Sequence, residues 1–117
     1  MKRTVSCLGL AGLLLASACA LAEGLPRTAA PAGAEVYFIS PKDGATVDKT
    51  FTVRFGLKGM GVAPAGADIP ETGHHHILID LKDEPAMDQP LPMTDAIRHF
   101  GKGQTETELT LAPGKHT

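Results

Sequence analysis

Five histidines carry most of the chemistry open to this chain, and three of them are consecutive. The stretch Thr72-Gly73-His74-His75-His76-Ile77-Leu78-Ile79-Asp80 sets the triple directly against an apolar, β-branched run. Neutral imidazole is a good ligand for zinc, copper and nickel, and sites built from histidine alone suit an oxidising compartment that lacks thiolates. Residues 77–79 predict a short buried strand. Along a strand, side chains alternate, so His74 and His76 share one face while His75 takes the other with Ile77 and Ile79. Two side chains at that spacing stand about 6–7 Å apart, near enough to share one ion. His99 and His116 each adjoin a predicted strand and are the candidate third and fourth ligands. Asp80 has the parity of His74 and His76 and could orient one of their rings. Met60, Met87 and Met93 lie in long connections and are soft enough for Cu(I), though loop methionines commonly serve as packing filler.

A plainer reading stands beside the metal site. Histidines at a strand entrance can hydrogen-bond loop carbonyls and brace the loop before them, and His75, on the apolar face, is read as structural. Catalytic alternatives find less support. Glu106 and Glu108 alternate with Gln104 and Thr110 as a solvated strand face does, whereas catalytic acid pairs come from separate elements facing a cleft. Ser40 has no neighbouring base and reads as a turn hydroxyl. No His-Glu-x-x-His motif is present for metal-assisted hydrolysis. With one Tyr, four Phe and no Trp, a sugar-stacking surface is disfavoured. The expectation is therefore a binding module and not an enzyme.

The elements that must position these residues are strands. Residues 34–40 are β-prone and apolar on both faces, as in a well-covered strand, and Pro41-Lys42-Asp43-Gly44 ends them in a turn. Thr50 to Lys58 alternates cleanly, with Phe51, Val53, Phe55 and Leu57 on one face. Residues 59–73 and 82–96 are long connections on either side of the histidine strand, of a length that often carries function. Residues 97–100 read as a short strand or extended approach. Residues 104–111 alternate again, with Thr105, Thr107, Leu109 and Leu111 together. Beyond the N-terminal region no segment has a helical period. The pattern predicts an all-β, antiparallel, immunoglobulin-like β-sandwich. Its expected core is Phe38, Val53, Phe55, Leu57, Ile77, Ile79, Leu109 and Leu111.

The totals set the surroundings. In a chain of 117 residues there is room for one domain. Lys2 and Arg3, the apolar residues 5–15 and Ala20-Leu21-Ala22 form a secretory signal peptide over residues 1–22. The apolar run is short of the roughly 20 residues of a spanning helix, the reading against which it is weighed. Ala16-Ser17-Ala18-Cys19 offers a second exit, a lipobox that would anchor the protein through Cys19. Cleavage after Ala22 removes Cys7 and Cys19, the only two cysteines, and with them any disulfide or thiolate ligand. It leaves nine basic against thirteen acidic side chains, a formal charge of −4, which excludes the clustered cations nucleic acid requires. Residues 23–33, rich in Ala and Pro, read as a flexible leader to a domain over 34–117. The expected location is periplasmic or secreted, with no transmembrane anchor.

Several motifs coincide with one family. Val36-Tyr37-Phe38-Ile39-Ser40-Pro41, Phe55-Gly56-Leu57-Lys58-Gly59-Met60-Gly61-Val62-Ala63-Pro64-Ala65-Gly66, Thr72-Gly73-His74-His75-His76, His99-Phe100-Gly101-Lys102-Gly103-Gln104-Thr105-Glu106-Thr107 and Pro113-Gly114-Lys115-His116-Thr117 together resemble an exported bacterial domain of unknown function. The resemblance covers residues 34–117 and implies no established activity. It implies further strands and histidines after the last motif. With the reversing turn at residues 112–115, this gives the expectation that the chain is a fragment lacking its closing strands. Two functions follow for test: a metal-binding module using His74, His76, His99 and His116 with copper or zinc, or an envelope protein-interaction domain whose histidines only brace loops.

Overall fold

A computed structural model describes residues 27–117. The expected signal peptide, both cysteines and the start of the expected leader lie outside the described residues.

Seven strands form, and no helix is present among the described residues. They are β1 (Glu35–Ser40), β2 (Thr50–Lys58), β3 (Gly61–Val62), β4 (Thr72–Gly73), β5 (His75–Leu78), β6 (Ile97–Phe100) and β7 (Glu106–Thr110). An antiparallel sheet runs in the order β1-β2-β7, and a second antiparallel pair joins β5 to β6. β3 and β4 make a short parallel bridge between them in sequence.

The alternation of β2 explains why the two antiparallel sheets meet. Val53 and Phe55 point inward and pack with Leu109 of β7, Ile77 of β5 and Phe100 of β6, while Phe51 and Ile79 flank the cluster. Each buried side chain of this size contributes about 1.5–3 kcal/mol relative to exposure. This face-to-face packing makes the fold all-β and sandwich-like, as the strand pattern predicts. Phe100 was not among the expected core residues, because Ile97 to Phe100 has no clear alternation to assign it a face.

β1 departs from expectation. Its residues 35–39 are all exposed, including Val36 at 68% and Phe38 at 55%, so Phe38 is not a core residue. The cause is topological. β1 is an edge strand with β2 as its single neighbour, and open cavities lie between its Val36 and Phe38 and the residues of β5. On the outer face Tyr37 pairs with Gly56 across the ladder and lies on it, which is why that glycine is buried. Leu57 and Leu111 are only half-buried for the same lack of cover. The turn after β1 forms as its residues dictate: the Ala45 N–H donates to Lys42 O at 3.0 Å and Gly44 takes φ 75°.

The connection over residues 59–73 is not a free loop. The Gly61 N–H donates to Glu71 O, the Ala63 N–H to Gly73 O, and the Ala65 N–H to Gly101 O, at 2.8–2.9 Å. These bonds lash the connection to β4 and to the end of β6, and Ala63 within it is buried.

Candidate metal centre

The histidine cluster is built by register. β5 and β6 pair so that His76 stands directly opposite His99, one step from the His75–Phe100 pair. His74 precedes β5 by one residue and keeps the parity of His76. The three rings form a near-equilateral triangle, with centroids 4.7–4.9 Å apart. One ring nitrogen from each lies within 4.8 Å of the others. His74 Nε2 and His76 Nε2 are 3.1 Å apart, a hydrogen bond in which one ring donates to the other. A tetrahedral ion with metal–nitrogen bonds of about 2.0–2.1 Å needs only small ring rotations to take all three, and would keep a fourth position open.

His75 points the other way, as its parity predicts. It is 6% exposed, and its ring packs on Phe55 at a centroid distance of 4.9 Å.

The electrostatics favour neutral rings. Burial, then the neighbouring His99 and His75, lowers the pKa of His74 below 6.5. Burial, then His74 and His99, does the same for His76, and burial alone lowers His75. Neighbouring imidazoles thus disfavour a proton on His74 and His76, and a neutral ring is the form that binds a metal. The tuning around the rings is sparse. His76 Nδ1 is buried without a hydrogen-bond partner among the described residues, so no carbonyl or carboxylate fixes its tautomer. Metal-ligating histidines usually have such a partner, worth about 10–100-fold in affinity.

Gly101 shapes the site from beside it. A β-carbon there would stand 2.5 Å from His99 Cε1 and 2.9 Å from its Nε2, so the imidazole lies where any other residue would put a side chain. Ala65, tied to Gly101 through its N–H, closes the other side at 3.2 Å. Neither was singled out from sequence, and a glycine two residues after a histidine on a strand is the one local signal that pointed to them.

His116 is not brought to this cluster. Its Nδ1 donates to Asp80 Oδ2 and its Nε2 donates to Ala112 O, both at 2.7 Å. Both ring nitrogens are thus engaged, and neither is free for a metal. The Asp80 carboxylate, then the Ala112 carbonyl, raises its pKa, and His116 and the Thr117 N–H lower that of Asp80. Asp80 is thus a partner of residues 116–117 and not of His74 or His76. Strand β5 ends at Leu78 and Asp80 takes φ 54°, which breaks the alternation that parity assumed. Of the methionines, Met60 lines a cavity with His74, His75 and His76, while Met87 and Met93 are exposed. Glu106 makes a surface ion pair with Arg54 at 3.0 Å, consistent with a solvated face.

An all-β domain that presents a histidine triad on the rim of one sheet is the class defined by this architecture. Residues 53–117 match the family described as Domain of unknown function (DUF4399), and the chain belongs to that family. The match starts inside β2 and takes in every residue of the triad, leaving β1 outside it. No curated protein and no solved structure matches the chain.

Proposed function

We propose that this domain is an exported, non-enzymatic module that binds one divalent transition metal, zinc or copper, through His74, His76 and His99. The observation that supports this reading most is the triangle of rings with one nitrogen from each within 4.8 Å. The rings are set by strand register and by the space left at Gly101, so little ordering cost remains when an ion enters. The absence of any carboxylate from the triad favours nitrogen-loving ions over calcium or magnesium. Export through the N-terminal signal, to the periplasm or beyond the cell, places such a site where free histidine ligands meet extracytoplasmic metal.

The alternative is an envelope protein-interaction domain, and the exposed apolar strand β1 favours it. Its account of the histidines as loop braces fits less well. The hydrogen bond their rings make is to each other, and among the described residues no loop carbonyl accepts one from them.

Calorimetric titration of the untagged protein with Zn(II) and Cu(II) tests the proposal against a His74→Ala/His76→Ala/His99→Ala variant. One ion per chain should bind at neutral pH, and binding should vanish in the variant. Equal binding by both proteins, or none tighter than about millimolar, refutes it.

A further inference from the structure

Between the two antiparallel sheets lies a half-open cleft of about 830 Å³, and no ring of the triad lines it. Its floor is the core itself: Val53 of β2 and Leu109 of β7 from one sheet and Ile77 of β5 from the other, between 3% and 6% exposed. Phe38 of the uncovered strand β1 and the half-buried Leu111 line it further out. Polar side chains are not spread along this cleft. Every one that lines it belongs to residues 41–46 or 114–117. Those two segments lie at the same end of the sheet. The first lies between β1 and β2, and the second follows β7, whose Thr110 stands opposite Thr50 at the start of β2. Lys42 and Lys115 are exposed there, and Asp43 is the one acid among the described residues of the lining. His116 is paired with Asp80 at 2.7 Å, so it adds no net charge. The result is an apolar trough with a cationic end.

We propose that this cleft binds a free fatty acid, its acyl chain along the apolar floor and its carboxylate at Lys42 and Lys115. The volume falls within the range of about 300–1,000 Å³ usual for small-molecule sites. A single anionic head matches the net positive end, and an aliphatic chain asks for no polar partner along the rest. A sugar or nucleotide would bring polar groups into a body whose side chains cannot hydrogen-bond them, at a cost of desolvation that nothing there offsets. The inference does not depend on the triad, because the cleft shares no residue with it.

Calorimetric titration of the untagged protein with decanoate and dodecanoate, each below its micelle concentration, tests the proposal. One ligand should bind per chain, and dodecanoate should bind about tenfold tighter, because two more methylenes leave water. Dodecyltrimethylammonium, with the same tail and the opposite charge, should bind at least about tenfold more weakly than dodecanoate. Lys42→Glu/Lys115→Glu, at two exposed positions, should cancel that preference. Binding of neither carboxylate tighter than about millimolar, equal binding of the two head groups, or a lysine variant that keeps the wild-type preference overturns the inference. A second copy seated in the cleft would leave associated protein unable to take dodecanoate, and that result overturns it equally. Should the variant fail to fold, the comparison of the two head groups on the wild-type protein decides.

Discussion

At the scale of residues, the candidate centre rests on three rings and one missing side chain. His76 and His99 face each other across the β5–β6 ladder, and His74 closes the triangle. Replacing either His76 or His99 by alanine should raise the zinc dissociation constant by at least about tenfold, since two imidazoles hold an ion far less well than three. His116→Ala should leave it unchanged, because that ring is engaged with Asp80 and Ala112. Gly101→Ala is the sharper probe. The added methyl must displace the His99 ring, so metal affinity should fall while the melting temperature of the metal-free protein moves little. Calorimetry and thermal unfolding of the same variant separate the two effects. The parity argument made His74 and His76 legible in the sequence, and His75 with them. His99 was legible only as a neighbour, since nothing local states the register between two strands. Asp80 was misread because parity holds only while the strand lasts, and this one stops at Leu78.

At the scale of elements, β5 and the segment around residues 116–117 respond to pH in opposite directions. His74, His75 and His76 have folded pKa values below 6.5. The unfolded chain therefore binds more protons between those values and 6.5, and stability falls as pH drops through that window. His116 has a raised value, so its contribution is complete below 6.5 and is lost as pH rises through the folded pKa. The contribution of Asp80 is complete above 3.8 and is lost as pH falls through its depressed value. Denaturant unfolding of metal-free protein across pH 5 to 8 should show the acid-side loss, and His116→Gln should abolish the alkaline-side one while sparing the former. The strands β2 and β7 were legible because each alternates for several residues with one wet face. β3 and β4 were not, because two-residue bridges carry no period and owe their existence to backbone bonds between distant residues.

At the scale of the whole molecule, a small core supports a partly uncovered sheet. Val53, Phe55, Ile77, Phe100 and Leu109 make up the cluster that joins the two antiparallel sheets. Phe55 touches both His75 and Phe100, so Phe55→Ala should cost about 3–5 kcal/mol in chemical denaturation and disturb the histidine strand with it. The sandwich-like class was readable from patterning, and half of the expected core is buried as foreseen. The exposure of Phe38 was not readable, because an apolar strand looks alike in sequence whether or not a second layer covers it. An uncovered apolar edge invites pairing with another chain. Sedimentation should show concentration-dependent association, and Val36→Lys should reduce it.

The central claim is that three imidazoles share one ion, and X-ray absorption at the zinc edge counts them. Untagged protein loaded with one equivalent of Zn(II) should show three imidazole nitrogens at about 2.0–2.1 Å with one further light atom, and His99→Ala should show two. A spectrum without imidazole scattering, or one that His99→Ala leaves unaltered, contradicts the account.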